Sequence, residues 1–352
     1  MVSDSNNRSD EAVKPSDEFQ LIRTLLRKQR PSSQVVVGVG DDAAVVRLRP
    51  GMELVATCDA MVQGPHFTRQ TMSPYDIGWK AMAANLSDLA AMAAEPRFAL
   101  VTLGVNEEWA VDELVELYAG LYDLAERYDV QVVGGDTVSS PGGLCVSMTL
   151  LGEVAAGHAW LRSAAKAGDQ VFVTGPLGGS AAGLHALLNP RLGEAWEQTG
   201  DAGRLAAILQ MHQRPLPRVE AGRVLAALPF GGALNDVSDG LASEAWEIAE
   251  ASQVAVWIEE AALPIAEPVR DFARFCQIAP EDWALYGGED FQLLGTVPAD
   301  AWPVLEQAFR ERGLPVYRCG EVQAGFGVFL KRQDGSAVPV AKLGYNHFTK
   351  RE

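Results

Sequence analysis

The sequence has 352 residues, of which 48% are hydrophobic and 21% are charged, a length and composition that suit two globular domains. Its net charge of −17 argues against a broad electrostatic grip on nucleic acid, and no stretch approaches the roughly 20 apolar residues of a membrane-spanning helix. The four cysteines are scattered without a C-x-x-C pair, which disfavours a zinc site or a disulfide framework and fits a reducing cytoplasm.

Residues 1–16 are polar and charged, without the apolar core of a signal peptide, and are predicted to form a disordered tail. Residues 17–155 are predicted to form a first domain that mixes strands and helices. Its predicted helices cover 19–28, 73–94 and 107–128, the second with Ser73 as its cap and Glu95-Pro96 as its stop. Its predicted strands cover 35–38, 43–48, 53–57, 98–105, 130–133 and 144–154.

A turn-rich joint at 155–158 precedes a second predicted α/β domain, residues 156–352. Its predicted helices cover 181–188, 204–212, 218–227, 241–251, 269–277 and 301–312. Its predicted strands cover 170–174, 254–258, 292–297, 317–322 and 328–331. The strand, glycine loop and helix at 170–188 have the layout of a phosphate cradle, but they lack the P-loop lysine and the G-x-G-x-x-G spacing. A tight strand-to-helix turn explains these glycines as well.

The stretch G-V-G-D-D-A at 38–43 lies between two apolar runs and places Asp41 and Asp42 side by side in a glycine turn. Adjacent carboxylates repel each other unless a cation lies between them, and hard carboxylate oxygens suit Mg²⁺, Mn²⁺ or Ca²⁺. An ordinary hairpin turn is the alternative, because Gly and Asp are common turn residues.

More acids occupy comparable positions along the chain. Asp59 is predicted at the end of a strand, and Asp136 directly follows another strand in G-G-D-T. Asp88 lies three residues after Asn85 inside a strongly apolar helix, where a carboxylate needs an exposed margin or a cation. Asp236 and Asp239 precede a helix, where capping alone would explain them. Together the acids predict one metal site.

Several carboxylates without a nucleophile fit metal-assisted phosphoryl transfer, in which the protein positions phosphates and neutralises charge. A G-x-S-x-G elbow is absent from the sequence, and the acid that follows Cys58 would raise the pKa of that thiol. Arg162 and Lys80 are reasonable phosphate partners. The residues themselves therefore indicate a Mg²⁺-dependent enzyme that acts on phosphates.

Nine motifs, spread in order over residues 38–348, together resemble the thiamine-monophosphate kinase family, which belongs with the aminoimidazole-ribonucleotide synthetase-like ATP enzymes. They are G-V-G-D-D-A at 38–43, T-C-D at 57–59, G-P-H-F at 64–67, N-L-S-D-L-A-A-M at 85–92, G-G-D-T at 134–137, R-S at 162–163 with G-D at 168–169, V-S-D-G-L at 237–241, G-G-E-D at 287–290 and G-Y-N-H-F at 344–348.

The resemblance implies an α/β (α+β) fold of two domains, with the N-terminal domain pairing in a homodimer and ATP with several Mg²⁺ ions between the domains. It also implies direct, in-line transfer of the γ-phosphoryl group of ATP to thiamine monophosphate, giving thiamine diphosphate and ADP. Thiamine monophosphate and ATP are the expected small-molecule partners, and neither nucleic acid nor membrane is expected.

The resemblance also implies site residues. The expected Mg²⁺ ligands are Asp42, Thr57, Cys58, Asp59, Asp88, Asp136, Asp236 and Asp239, among which Asp42, Asp136 and Asp239 are expected to be catalytic. Residues expected around ATP are Tyr128, Gly135, Arg162 and Ser238. Residues expected around the thiamine moiety are His66, Glu289 and Tyr345. Cys58 departs from the Ser or Thr usual in the family, and because a thiol is a poor Mg²⁺ ligand, its backbone carbonyl or a water is expected to bind there.

Alternatives come from the same superfamily and from outside it. The sequence lacks the reactive N-terminal cysteine of selenophosphate synthetase and the C-terminal cysteine of the hydrogenase-maturation relative, and aminoimidazole-ribonucleotide synthetase fits less well around His66 and G-G-E-D. A non-catalytic metal- or nucleotide-binding protein is the alternative from another class. His66 as a loop residue, Glu289 as part of a turn and Tyr345 as a packed aromatic are the corresponding structural interpretations. His158, His185 and His212 have no motif around them and are expected to be structural or exposed.

Overall fold

The computed structural model describes residues 18–26, 32–200 and 202–344. The predicted tail at 1–16 and the predicted substrate residue Tyr345 lie outside these ranges. The described α-helices are α1 (Glu18–Leu25), α2 (Pro74–Ala91), α3 (Val111–Arg127), α4 (Gly179–Leu188), α5 (Pro190–Glu197), α6 (Arg204–Gln213), α7 (Val219–Ala226), α8 (Leu241–Ser252), α9 (Glu267–Cys276), α10 (Pro280–Tyr286) and α11 (Trp302–Glu311).

The described strands form a two-stranded hairpin and two larger sheets. They are β1 (Val35–Val37), β2 (Val45–Val46), β3 (Met52–Val62), β4 (Glu95–Val105), β5 (Gln131–Ser139), β6 (Cys145–Ala155), β7 (Asp169–Val173), β8 (Leu234–Asp236), β9 (Ala255–Glu259), β10 (Leu293–Pro298), β11 (Tyr317–Gln323), β12 (Gly327–Lys331) and β13 (Ala337–Pro339).

The first sheet has the strand order β3-β6-β4-β5, in which only β4 and β5 run parallel. Helices α2 and α3 pack together over one face of this sheet. Glycines permit this packing, because a Cβ atom added to Gly78 of α2 would lie 1.8 Å from the carbonyl oxygen of Leu117 in α3. The apolar, alanine-rich helix α2 is therefore buried between α3 and the sheet.

The other face of the first sheet, which we call the open face, carries exposed side chains such as Leu54, Cys58 and Val138. The β1–β2 hairpin is tied to this sheet by the buried carboxylate of Glu153, which lies opposite Leu54 in the register. Glu153 Oε1 accepts hydrogen bonds from the Arg49 amide at 2.8 Å and from Gln34 Nε2 at 2.9 Å. These two residues flank the hairpin, so Glu153 fixes both of its arms.

The second sheet has the strand order β13-β12-β9-β11-β7-β10-β8, with β12 and β9 as its parallel pair. Helix α8 packs against β9 and β12, and helices α4, α5, α6 and α9 pack against one another beside it. Helix α2 of the first half also contacts β8 and α7 of the second half. One buried cluster runs from Leu86 in α2 to Leu225 in α7 and Leu293 in β10, so the two halves share a hydrophobic core.

None of the helices in the described ranges is both long and apolar enough to span a membrane. The start of the predicted helix α2 is confirmed, because the Ser73 hydroxyl accepts from the Asp76 amide and the Asp76 carboxylate accepts from the Ser73 amide. Its predicted end is wrong, because the helix ends at Ala91 and Glu95-Pro96 begin strand β4.

Two predicted positions of acids are wrong in detail, and a third acid ends a strand that was not predicted. Strand β3 continues to Val62, so Asp59 lies inside the strand instead of at its end. Strand β5 continues to Ser139, so Asp136 lies within an edge strand rather than in a turn. Asp236 ends the short strand β8, which the sequence pattern did not predict. In each case hydrogen bonding to a neighbouring strand extends the β-structure through residues that favour turns.

Candidate active site

Helix α2 carries three polar side chains at the point where it meets both sheets. The Thr57 hydroxyl of β3 donates to the Asp88 carboxylate, and the Asp59 amide donates to Asn85 Oδ1 at 3.2 Å. Thr57 and Asp59 alternate with Cys58 along the strand, so their side chains lie on the face that α2 covers. The predicted pair of Asn85 and Asp88 on one helix face is confirmed as a contact with β3.

The third polar side chain of α2 reaches the second half of the chain. Ser87 Oγ donates to Asp236 Oδ2 at 2.7 Å, and both residues are buried. Asp236 ends β8 and is followed by Val237, whose amide bonds the Gln292 carbonyl at 2.7 Å. The contact of Ser87 with Asp236 therefore joins the N-terminal motif N-L-S-D to the C-terminal motif V-S-D-G-L.

Behind this contact lies Glu244 of α8, a buried carboxylate that the sequence did not single out. Its Oε1 accepts from the Asp239 amide at 3.0 Å and lies 3.4 Å from Ser238 Oγ, while its Oε2 accepts from Asn235 Nδ2. Helix α8 has no side-chain cap at its start, so capping does not explain Asp239. Glu244 instead holds the loop that carries both Ser238 and Asp239.

We call Asp59, Asp88, Asp236 and Asp239 the acidic centre. Their carboxylates repel one another: burial and Asp59 raise the pKa of Asp88 to about 6, and burial and Asp88 raise that of Asp236 to about 7. Burial and Asp239 raise the pKa of Asp59 as well. The structure thus brings together four of the predicted magnesium ligands from three separate motifs.

Arg162 is the cation beside the acidic centre. Its Nε donates to Asn235 Oδ1 at 2.9 Å, one of its terminal nitrogens lies 3.2 Å from Glu247 Oε2, and its charge lowers the pKa of Asp88 and Asp236. About half of the Arg162 side chain, 52%, stays exposed. An anionic ligand could therefore still reach this guanidinium.

The donor set of the acidic centre fits magnesium. It consists of carboxylate oxygens, and a divalent cation among them would relieve the repulsion that raises their pKa values. Within the described ranges, no three His, Cys, Asp or Glu side chains already converge as a finished metal site. The carboxylates of the acidic centre therefore form an open cluster rather than a closed cage.

Three other predicted ligands lie elsewhere. Asp42 is exposed in the hairpin turn, where its amide bonds Asp41 Oδ1 at 2.9 Å. Asp136 is exposed beside Thr102, and the Cys58 thiol lies on the open face, 3.8 Å from Ser147 Oγ. Among the described residues, no hydrogen bond or ion pair joins Asp42 or Asp136 to the acidic centre.

Gly135 and Tyr128, two residues predicted to lie near ATP, have different surroundings. Gly135 has a φ of +155°, and a Cβ added to it would lie 1.9 Å from the Val101 carbonyl oxygen, so this glycine is needed for strand pairing. Tyr128 is 4% exposed at the end of α3, and its hydroxyl donates to the Pro217 carbonyl at 3.3 Å. Burial raises the pKa of Tyr128.

The G-G-E-D loop packs directly against the loop after β8. The Glu289 amide bonds the Ser238 carbonyl at 2.7 Å, and the Phe291 amide bonds the Val237 carbonyl at 2.9 Å. Gly288 permits this approach, since a Cβ there would lie 2.5 Å from the Ser238 oxygen. Glu289 and Phe291 both have positive φ, +65° and +47°, a strained backbone of the kind that clusters at functional sites.

The phosphate-cradle layout at 175–180 already holds a carboxyl group from this chain. The buried Asp290 carboxylate accepts from the Gly178 amide at 2.6 Å and from the Ser180 amide at 3.0 Å, at the start of α4. Asp290 therefore occupies the position that a phosphate would take at the helix N-terminus. The tight strand-to-helix turn is the correct interpretation of these glycines.

Glu289 pairs with Lys80, the residue that the sequence suggested as a phosphate partner. Lys80 is 1% exposed, and its Nζ lies 2.5 Å from Glu289 Oε2. His212 lies beside them, and burial and Lys80 lower its pKa to about 3. His66 accepts a hydrogen bond from the Val62 amide at 3.1 Å and lies close enough to Glu289 to interact with it electrostatically. His66 and Glu289 thus share one region.

Comparisons with known proteins show the family to which the chain belongs. The chain is 43% identical over 336 residues to the thiamine-monophosphate kinase of Bacillus subtilis (strain 168), and the match covers 94% of this chain and 99% of that protein. The chain belongs to the thiamine-monophosphate kinase family. Family models for the N-terminal and C-terminal domains of AIR synthase related protein match residues 40–154 and 166–332. Both domains of the predicted fold are confirmed.

Solved structures of thiamine-monophosphate kinases have the same fold. The enzyme from Stenotrophomonas maltophilia K279a is 33% identical with a TM-score of 0.74, and the match covers 91% of this chain and 96% of that one. AaThiL complexed with AMPPCP and TMP is 31% identical with a TM-score of 0.73, and the match covers 86% and 89% of the two chains.

Sequence reasoning missed two buried residues beside the predicted site residues, Glu244 and His212. Glu244 was detectable, because it adds another acid within one helical turn of the V-S-D-G-L motif. His212 had no local signal: it is buried only because α6 packs beside Lys80 and Ser180. Of the other histidines, His185 is structural, since its ring packs edge-on against Phe272 and at a tilt against Trp283.

Proposed function

We propose that this protein transfers the γ-phosphoryl group of ATP directly to thiamine monophosphate. An oxygen of the substrate phosphate attacks the γ-phosphorus, the bond from that phosphorus to the β–γ bridging oxygen breaks, and thiamine diphosphate and ADP result. The observation that carries the proposal is similarity over nearly the whole chain to thiamine-monophosphate kinases, one of which is solved with AMPPCP and TMP.

The geometry of the acidic centre supports this reaction. Phosphoryl transfer demands positioning and charge neutralisation more than covalent chemistry from the protein. Asp59, Asp88 and Asp236 lie at one junction of both sheets, where Thr57 holds Asp88 and Ser87 holds Asp236. Arg162, half exposed beside them, offers a guanidinium to phosphate oxygens.

Magnesium is the metal that we propose for this site. Several Mg²⁺ ions are proposed: Asp59, Asp88, Asp236 and Asp239 would hold them, and Asp42 and Asp136 would supply further ligands from the hairpin and from β5. When bound, Mg²⁺ neutralises the negative charge of the phosphates. The fit rests on the carboxylate repulsion in the acidic centre, which a cation between the carboxylates would remove.

Further residues are proposed to orient the two substrates. Tyr128, Gly135, Arg162 and Ser238 are proposed around ATP. His66 and Glu289, which share one region, are proposed around the thiamine moiety together with Tyr345. Thr57 is proposed to act on the metal site through Asp88, and Cys58 through its backbone, because its thiol lies on the open face.

We also propose a homodimer formed through the open face. Exposed apolar side chains on this face, with Leu54 50% and Val138 47% exposed, are what a second copy would cover.

The boundary between residues 155 and 156 is proposed as the domain boundary, supported by the gap between the two matched stretches. The free thiols of all four cysteines support a reducing, cytoplasmic setting.

The test is to incubate the purified protein with ATP, Mg²⁺ and thiamine monophosphate and to separate the products by chromatography. We expect thiamine diphosphate and ADP in equal amounts. ATP binding by calorimetry without any thiamine diphosphate would overturn the proposal and favour a non-catalytic nucleotide-binding protein. Formation of product only from other phosphate acceptors would favour another enzyme of the superfamily.

A further inference from the structure

Lys80 is a buried cation that the proposed phosphoryl transfer does not use. It lies in the middle of α2 with only 1% of its surface exposed, although a lysine is rarely buried without a partner. Burial lowers the pKa of Lys80, and the Glu289 charge partly offsets this effect. A buried charge at this position needs an explanation beyond packing.

The partner of Lys80 comes from the other half of the chain, 209 residues away. The Lys80 side chain is 1% exposed, whereas the Glu289 side chain is 31% exposed, so the ion pair is accessible from the Glu289 side. Burial would raise the pKa of Glu289, but the charge of Lys80 and the hydrogen bond from Lys80 lower it. The carboxylate is thus held in its charged form on the accessible side of the pair.

His212 extends the contact into a third segment. Lys80 Nζ lies 3.4 Å from His212 Nε2, and His212 Nδ1 lies 3.0 Å from Ser180 Oγ. The low pKa of His212 keeps its ring neutral, so the ring can accept from the ammonium without adding a charge. Ser180 in turn donates its amide to Asp290, the neighbour of Glu289.

We propose that Lys80 is a positioning residue for the substrate carboxylate Glu289. It fixes the Glu289 side chain from behind and, with His212 and Ser180, holds the G-G-E-D loop in its positive-φ conformation. The inference rests on the proposed function, since it assumes that Glu289 contacts the thiamine moiety. Lys80 itself touches no substrate: its task is to keep one carboxylate in place across the boundary between the two halves.

The test compares steady-state kinetics of the full-length wild type with those of Lys80→Met, which keeps the length of the side chain and removes its charge. We expect the KM for thiamine monophosphate to rise about tenfold or more, and the KM for ATP to stay within about twofold. Arg214→Met is the matched control, because Arg214 forms another ion pair with α2, to Asp76 at 2.5 Å, without touching Glu289. We expect this control to leave both KM values near those of the wild type.

A merely structural role would lower the melting temperature of Lys80→Met and leave its KM for thiamine monophosphate unchanged, and that result would overturn the inference. An equal rise of KM in Arg214→Met would also overturn it. Absence of product from the wild type would instead defeat the proposed function. If Lys80→Met does not fold, the pair Glu289→Gln and Lys80→Met/Glu289→Gln carries the test, since neither variant keeps the Glu289 carboxylate without the Lys80 ammonium. Their KM values for thiamine monophosphate should agree within about twofold, and a further tenfold rise in the double variant would contradict the proposal.

Discussion

Asp88 and Asp42 are both predicted magnesium ligands, yet the protein holds them in different ways. Asp88 lies in the acidic centre, where it accepts a hydrogen bond from Thr57 and shares a junction with Asp59 and Asp236. Asp42 is exposed in the turn of a hairpin, and Asp136 is exposed on an edge strand. The first group is organised by contacts within the protein, and the second group is presented to solvent.

The difference indicates that the two groups of acids have different roles in one proposed site. The acidic centre carries a permanent electrostatic cost, because its carboxylates are partly buried and repel one another. The outlying acids carry no such cost, and Asp42 can move with the hairpin. We therefore expect ligand binding to bring Asp42 and Asp136 to the acidic centre, and we expect mutations in the two groups to affect stability and activity differently.

The largest effect is expected when an outlying acid loses its charge. Asp42→Asn or Asp136→Asn should lower turnover by about 10²–10³-fold, because a ligand of the proposed metal is lost. The free energy of unfolding should stay within about 0.5 kcal/mol of the wild type, since both side chains are exposed. Assays of product and chemical denaturation check the two parts, and near-normal turnover in both variants would refute the metal assignment.

In the acidic centre, the same change should separate activity from stability. Asp236→Asn keeps an oxygen that accepts from Ser87 and removes a charge that repels Asp88 and Asp59. Turnover should fall by about tenfold or more, while without metal the melting temperature at pH 8 should equal or exceed that of the wild type. A marked loss of stability in this variant would show that the charge of Asp236 does not destabilise the folded state.

Stability should depend on pH through the same carboxylates. Their folded pKa values, about 6 for Asp88, about 7 for Asp236 and about 9 for Glu244, lie above the ordinary values, so the folded state binds more protons than the unfolded state. The free energy of unfolding should therefore fall as pH rises from about 5 to about 9 in the absence of metal.

Adding Mg²⁺ should flatten this dependence, because a bound cation favours the charged carboxylates. Chemical denaturation at several pH values, with Mg²⁺ and with EDTA, measures both curves. Coincident curves would exclude magnesium binding to the acidic centre in the absence of ATP.

A smaller effect is expected from loosening the hairpin that carries Asp42. Glu153→Gln removes a buried carboxylate that holds Arg49 and Gln34, and it should cost about 1–3 kcal/mol of stability. Turnover should fall only severalfold, since Asp42 itself remains. Arg310→Gln breaks an exposed pair with Glu306 and serves as the control, with an expected change below about 0.5 kcal/mol. Equal losses in both variants would argue against the anchoring role of Glu153.

Local sequence signals predicted some parts of this structure well. Ser73, Pro74 and Asp76 mark the start of α2, and the spacing of Asn85 and Asp88 places both side chains toward β3. The family motifs identified the four members of the acidic centre. The helix start, the side-chain spacing and each family motif depend on residues within a few positions of one another, so they can be read directly from the sequence.

Other features depend on pairing between distant segments and were not visible in the sequence. Asp59 lies inside β3 because β6 pairs along the full length of that strand. Asp290 occupies the start of α4 from 110 residues away, which converts a phosphate-cradle layout into an internal cap. Lys80, His212 and Glu289 meet from three segments, and none of them carries a local signal for the others.

Hydrogen exchange of the wild type at residues 34–49 tests most directly whether the two groups of acids join into one magnesium site. The exchange rates are compared without ligand, with Mg²⁺ alone, with AMPPCP alone and with both. We predict strong protection of the hairpin only when Mg²⁺ and AMPPCP are both present, and loss of that protection in Asp42→Asn. Unchanged exchange in all four conditions would contradict the account, because Asp42 would then remain in solvent while the nucleotide is bound.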